Sequence, residues 1–379
     1  LSERPGGAGR ASLHIHFPAA RASLFPFVAL AAFAAVLIAI MLLARSRPLA
    51  LACFLLLIAV YGCMGVWYLT LSNDPQIDVY QVQHLAARAL SHGHNPFAIT
   101  FPDIYHEPGM FYSPSLVVNG EVQCGYCYPP LTLLLDMPGH LAGDVRYTQL
   151  FCLLLGALFI GFMRPGRVNY AAAALLLFTP NIFLLLENAW IEPQLVMLLA
   201  VAVFILSRAK PASSGSRCNR SLLIAAIFIG LFLAAKQYAP LALAAVWLVL
   251  PRPIDWRQTL RLALIALAAG ILVTLPFILW NPHAFFRSMT VLHVGSLRMD
   301  SLSFAPVIWH VAHYKVSLAL AAAAAIPASA LVIWRAPRTP GAFAAAIALI
   351  LMCVFAISTE SFGNYYFLSN GALCCAAAG

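Results

Sequence analysis

Long apolar runs dominate the chain, and short polar stretches separate them. The runs lie at 24–44, 49–71, 145–163, 168–186, 190–207, 221–235, 238–250, 259–280, 316–334, 342–358 and 366–379. A run of about 20 apolar residues has the length of a membrane-spanning helix. Several runs are shorter than that, and Pro180, Pro240 and Pro276 punctuate them. The pattern predicts an all-α integral membrane bundle of about 10–12 transmembrane helices. Some are expected to be broken or tilted around a cavity, where irregular backbone is tolerated at membrane depth. Residues 1–23 read as a tail and 24–379 as a single transmembrane domain. The chain begins at Leu1 without a Met and stops at Gly379 inside an apolar stretch, which reads as truncation. The run near Leu24 lacks a cleavage site, so no cleavable signal peptide is expected.

The pattern changes at 72–130, a long polar connection read as a large first extracytoplasmic loop. Asp74-Pro75 predicts a helix start, with Asp as cap and Pro at the first helical position. Val82, Leu85, Ala86, Ala89 and Leu90 then recur at helical spacing, so a short amphipathic helix is expected over 75–91, stopped by Gly93. Its apolar face suits a bilayer surface. Asp78 falls in the first turn, where the helix dipole alone justifies an acid, at about 0.3–1 kcal/mol.

Composition removes the soluble alternative. The chain is 62% hydrophobic and 9% charged, against roughly 25% charged in soluble domains. Its net charge of +9 comes from clusters in the short connections at 45–48, 164–167, 208–220, 251–261 and 335–338. They alternate with the spans as cytoplasmic loops do, so the charge reports topology and not nucleic-acid binding. The tail residues Arg4, Arg10 and Arg21 conflict with that alternation, which makes the first span's orientation the least determined. Asp74, Asp78, Asp103, Glu107, Glu121, Asp136, Asp144, Glu187, Glu192, Asp300 and Glu360 all fall on the opposite side. Polar chemistry therefore concentrates on the external face.

Most of the nine cysteines lie in apolar runs, but Cys124 and Cys127 form CGYC in the first loop. That spacing suits a disulfide, a metal site or a redox pair. No second ligand pair with zinc spacing accompanies it, so a disulfide is the expectation and no metal is predicted. His92 and His94 read as loop residues.

Several segments share an order. IDVY (77–80), SHGHNPF (91–97) and CYPPLTLLLDMP (127–138) come first. ENAWIEPQL (187–195), KQYAPL (236–241), LPFILWNPHAF (275–285), RMDSLS (298–303) and FGNYYFL (362–368) follow. This order resembles the membrane glycosyltransferases of the GT-C fold, in particular the bacterial polyprenol-phosphate-mannose-dependent mannosyltransferases. Each motif is degenerate, and the specific signal is their succession from Ile77 to Leu368. The departures are the extra apolar segment at 24–44 and an insertion-like stretch at 103–126. The resemblance implies transfer of a sugar, mannose in that branch, from a polyprenyl-phosphate donor to a lipid or glycan hydroxyl on the external face of a bacterial inner membrane. It implies inversion, no cofactor, and a first-loop carboxylate as base. That acid maps onto Asp78, with Asp74 as fallback.

The chemistry also needs cations at the leaving phosphate. Lys236, Arg298 and His293 are the candidates, with His283 a further histidine; the alternatives are snorkelling for Lys236, a local pair with Asp300 for Arg298 and structural roles for the histidines. Glu187, Glu192, Trp190 and Tyr128 are candidates for the acceptor or sugar; capping, interfacial anchoring and turn roles stand beside them. Intramembrane charge and broken helices also suit a transporter or lipid-linked sugar flippase.

Overall fold

The computed structural model describes residues 24–106, 111–209, 220–250, 255–291 and 298–379. The helices are α1 (Leu24–Leu43), α2 (Arg47–Leu71), α3 (Asp78–Ser91), α4 (Pro130–Leu141), α5 (Arg146–Met163), α6 (Arg167–Leu177), α7 (Ile182–Glu187) and α8 (Glu192–Arg208). They continue as α9 (Arg220–Leu233), a 3-10 segment (Ala239–Val249), α10 (Trp256–Trp280), α11 (Pro282–Val291) and α12 (Ala305–Ala312). The last four are α13 (Leu318–Ala323), α14 (Ala325–Arg335), α15 (Pro340–Ile357) and α16 (Gly363–Ala378). Six helical stretches among the described residues are long and apolar enough to cross a membrane, with α13 and α14 forming one of them.

Burial sorts the helices. From Glu192 to Val203 every residue of α8 is buried, which marks it as the central helix of the bundle. It packs against α5, α9 and α16. By contrast, α10 buries only Leu262 and Phe277 and turns its other leucines outward, as a lipid-facing helix does. Gly230 lets α9 reach the Ala266 backbone of α10 at a distance that a Cβ would forbid.

The apolar runs predict the helices more faithfully than their breaks. The 168–186 run is two helices, because Pro180 ends α6 and Asn181 takes a left-handed turn (φ 64°) into α7. The 238–250 run is wound as a 3-10 helix. At about 2.0 Å per residue, eleven residues then cover about 22 Å, against about 17 Å in an α-helix. The 316–334 run bends at Ala324, between α13 and α14. These breaks explain why fewer helices reach full spanning length than the run count suggests.

Two ends of the bundle differ in charge. At one, Arg167 donates to the Ala44 carbonyl and Arg208 to those of Phe162 and Met163. At the other, Tyr68 and Ser72 at the end of α2 meet Glu187. Phe27 of α1 packs on Trp67 and Phe183 there, so α1 runs antiparallel to α2.

The first loop departs from expectation in four ways. The helix starts at Asp78, not at residue 75, and Asp74 does not cap it. Pro75 O accepts the Ile77 N–H (2.9 Å) in a tight turn, and Ile77 is extended (φ −141°, ψ 138°). The buried face of α3, with Val82, Gln83, Ala86 and Ala87, packs on α4 and on β1 (Phe101–Pro102) instead of on a bilayer. The loop also holds a three-stranded antiparallel sheet, in which β3 (Glu121–Val122) lies between β1 and β2 (Val117–Val118). Asn119-Gly120, both at positive φ, join β2 to β3 as a two-residue hairpin turn. Finally, the expected disulfide is not formed: Cys124 is a free thiol, buried against the carbonyls of Gly125 (3.5 Å) and Ser288 (3.8 Å). Gly125 N–H donates to Ser288 Oγ and that hydroxyl to Phe97 O, so CGYC is where the loop docks on α11. Burial pushes the Cys124 thiol up to about 11, leaving it protonated and a poor nucleophile.

Candidate active site

Asp78 opens α3, half-buried, with its carboxylate turned toward the loop sheet. Tyr112 donates to its Oδ2 at 2.8 Å and Tyr105 to its Oδ1 at 3.2 Å. The Asp78 N–H in turn points at the Tyr105 hydroxyl, 3.4 Å away. Burial raises both phenols above their ordinary range, and the Asp78 charge raises them further, so both stay O–H donors. Tyr105 stacks on Phe111 with ring centroids 4.0 Å apart, and the Arg298 guanidinium lies 4.9 Å over the other side of that ladder, on Phe111. Arg298 also covers Phe362 at 5.1 Å.

Arg298 is held by backbone and by charge. Its N–H reaches Thr359 O (3.4 Å), and Leu302 N–H donates to Ser361 O (2.7 Å), which ties this segment to the turn before α16. Asp300 takes two hydrogen bonds from the guanidinium, at 2.9 and 2.8 Å. Burial works against both charges, and the pairing outweighs it: Arg298 is held above its ordinary value and Asp300 below. The Asp78 charge also acts on Arg298, so the acid and the cation share one electrostatic neighbourhood. The local pair foreseen for Arg298 therefore forms, while its side chain stays 22% exposed.

A second polar cluster lies deeper. Lys236, 4% exposed, is paired with fully buried Glu192. Glu192 Oε1 also accepts from Tyr238 (3.2 Å) and Asn364 (2.9 Å). The ammonium sits 5.3, 5.2 and 4.9 Å from the ring centroids of Tyr128, Tyr238 and Tyr365, a cage of π-faces that attracts a cation. Gln237 donates to Cys127 O (2.6 Å) and holds the approach to α4 beside it. The Asp78 charge reaches Tyr128 of this cluster.

Other expected site residues lie apart. Both oxygens of Glu187 are taken by Tyr68 (2.7 Å) and Ser72 (2.6 Å), a tie between α7 and α2. Trp190 is half-buried and packs on the core. Asp74 is exposed and holds the side-chain amide of Gln76 (2.9 Å). Its charge falls on Tyr80, on another flank of α3, beside the Arg146–Asp144 pair. Asp136, expected on the external face, is buried between Gln149 (2.8 Å) and Gln194 (2.6 Å). His283 is exposed on α11, and His293 lies outside the described residues. Among the described residues, no three His, Cys, Asp or Glu could hold a metal ion together.

The structure adds Tyr105, Tyr112, Phe111, Tyr238 and Asn364 to the site. Tyr238 and Asn364 stand in the KQYAPL and FGNYYFL motifs, which was a signal of proximity. Tyr105 and Tyr112 stand in the insertion-like stretch and had none.

No family model and no curated protein matches the sequence. The fold does find matches, and it is that of an all-α, multi-pass integral membrane protein. Among solved structures, ArnT from Cupriavidus metallidurans bound to undecaprenyl phosphate matches with a TM-score of 0.54 and 17% identity. That match covers 85% of this chain and 59% of that one. The apo state of the same protein matches with a TM-score of 0.50 and 15% identity, over 85% and 58% of the two chains. The chain thus has the fold of ArnT while spanning less than two thirds of its length.

Proposed function

We propose that this protein is a membrane glycosyltransferase that moves a sugar from a polyprenyl-phosphate donor to a hydroxyl of a lipid or glycan acceptor. Mannose is the sugar to test first, because the motif order resembles the mannose branch of that fold. The reading places the site on the extracytoplasmic face of a bacterial inner membrane. The ArnT likeness supports a lipid-phosphate donor, since that enzyme was solved with undecaprenyl phosphate. The observation that carries the reading is Asp78, a half-buried carboxylate in the same neighbourhood as Arg298, a partly exposed cation paired with Asp300.

Asp78 acts as general base. It takes the acceptor hydroxyl proton as that oxygen attacks the anomeric carbon, and a positioned base contributes about 10²–10⁴-fold. The bond from the anomeric carbon to the phosphate oxygen breaks, the electron pair stays on the phosphate, and the anomeric centre inverts. Arg298 faces the charge that develops there. The phosphate leaves as an anion without a protonating acid, so one carboxylate suffices where glycoside hydrolases use two. No cofactor enters this scheme. Lys236 serves it indirectly: it is 4% exposed and paired with fully buried Glu192, so it shapes the wall between Tyr128 and Tyr365, whereas Arg298, although paired with Asp300, keeps 22% of its side chain exposed.

The test is transfer of labelled mannose from polyprenyl-phosphate-mannose in membranes, wild type against Asp78→Asn. Loss confined to the variant is expected. Sugar flux through proteoliposomes lacking an acceptor, with no transfer, would replace this reading with a transporter.

A further inference from the structure

A carboxylate that acts as a base must be held with one lone pair free toward the substrate. Asp78 has about four lone-pair positions on its two oxygens. Tyr105 and Tyr112 take one on each oxygen, at 3.2 and 2.8 Å. Neither phenol is near in sequence: they lie 27 and 34 residues beyond Asp78. Both come from the stretch that interrupts the motif order, and its local structure explains how they arrive. Asp103 N–H bonds Gly120 O (2.9 Å) across the loop sheet. The Asp103 carboxylate then caps a turn by accepting from Tyr105 N–H (3.2 Å) and His106 N–H (3.3 Å). Tyr112 is buried with its ring at a steep angle to Phe101 of β1, centroids 6.0 Å apart. The sheet and its turn thus bring both hydroxyls to the Asp78 carboxylate.

We infer that Tyr105 and Tyr112 are positioning residues for Asp78, supplied by the insertion-like stretch 103–126, and that they hold its carboxylate in the orientation in which it accepts the acceptor proton. The unequal distances assign roles. Tyr112 is the firm anchor on Oδ2, and Oδ1, more loosely held, receives the proton. The inference rests on Asp78 being the base. It adds that the stretch interrupting the motif order completes the machinery and is not a neutral insertion. Pre-organisation of this kind acts on the chemical step and leaves substrate binding nearly unchanged.

The experiment compares the full chain, reconstituted in lipid, as wild type, Asp78→Asn, Tyr112→Phe, Tyr112→Leu and Tyr105→Phe, with polyprenyl-phosphate-mannose as donor. Tyr112→Phe keeps the buried ring and removes only the donor. The expected result is a kcat lowered about tenfold, the worth of one hydrogen bond to a charged group, with KM within about twofold and melting unchanged. Tyr105→Phe is expected to lose less. Tyr112→Leu should match the kcat loss of Tyr112→Phe and melt lower as well. A Tyr112→Phe enzyme with wild-type kcat beside an inactive Asp78→Asn overturns the anchoring role and leaves the base assignment standing. Loss in Tyr112→Leu alone makes Tyr112 a packing residue and overturns it too. An active Asp78→Asn removes the base reading itself, and the inference with it. A readout independent of turnover is the infrared carboxylate band that Asp78→Asn deletes from the spectrum. Tyr112→Phe should shift that band, and an unmoved band refutes the contact whichever sugar the enzyme uses.

Discussion

Asp78 and Glu192 are both acids at the mouth of the same bundle, and the protein treats them in opposite ways. Asp78 is half-buried, held by neutral phenols, and shares its neighbourhood with a partly exposed guanidinium. Glu192 is fully buried, paired with Lys236, and hydrogen-bonded by Tyr238 and Asn364. A buried pair that has matched its own charge has little left to offer a substrate, and separating it costs more than it returns. A half-buried acid held by neutral hydrogen-bond donors keeps its reach toward a substrate. On the proposed function, the contrast assigns the deep pair to the wall of the site and Asp78 to the chemistry.

The sharpest way to break this comparison is at its shallow side. Asp78→Asn should lower transfer by about 10²–10⁴-fold with normal expression and melting, read by labelled sugar transfer. Next comes the deep side. Lys236→Met alone leaves Glu192 buried without its countercharge, and should cost about 3–5 kcal/mol of stability, measured by unfolding in detergent. Lys236→Met with Glu192→Gln should recover most of that loss and keep the donor KM near wild type. A donor KM that rises in the double variant would show that Lys236 does hold phosphate. Arg298→Ala should raise the donor KM about 10–100-fold, as expected for lost hydrogen bonds to a charged group, with kcat affected less. Arg298→Lys should recover little, because a lysine cannot replace the planar fork. The smallest effect belongs to Glu187→Gln. It weakens the tie to Tyr68 and Ser72 by about 1 kcal/mol, lowering the melting temperature while transfer stays within about twofold.

How much of this was legible depends on the length of the pattern that carried it. The helices were legible because long apolar runs state them directly, and Asp78 was singled out because it falls on the first-loop acid of an ordered set of motifs. Asp74 was misread as a cap because the Asp-Pro pair has the right residue types. The carbonyl of Pro75 instead closes a turn on Ile77 and delays the helix to Asp78. The disulfide expectation failed for a similar reason: CGYC has the spacing of a pair, but its backbone is spent on docking to Ser288 and Phe97. Tyr105 and Tyr112 left no signal at all. Strands of two residues have no periodicity, and the sheet that carries the phenols to Asp78 is made only of such strands. Lys236 was legible as a costly charge at depth. Its partner Glu192 lies 44 residues away, and sequence alone cannot state that pairing.

The most direct test of the account is one measurement: the rate of sugar transfer from polyprenyl-phosphate-mannose by Asp78→Asn, set beside that of the Lys236→Met, Glu192→Gln double variant, both in lipid and both folded. The account predicts near-complete loss in the first and near wild-type transfer in the second. The reverse, with Asp78→Asn active and the double variant dead, would move the chemistry into the buried cage and contradict it.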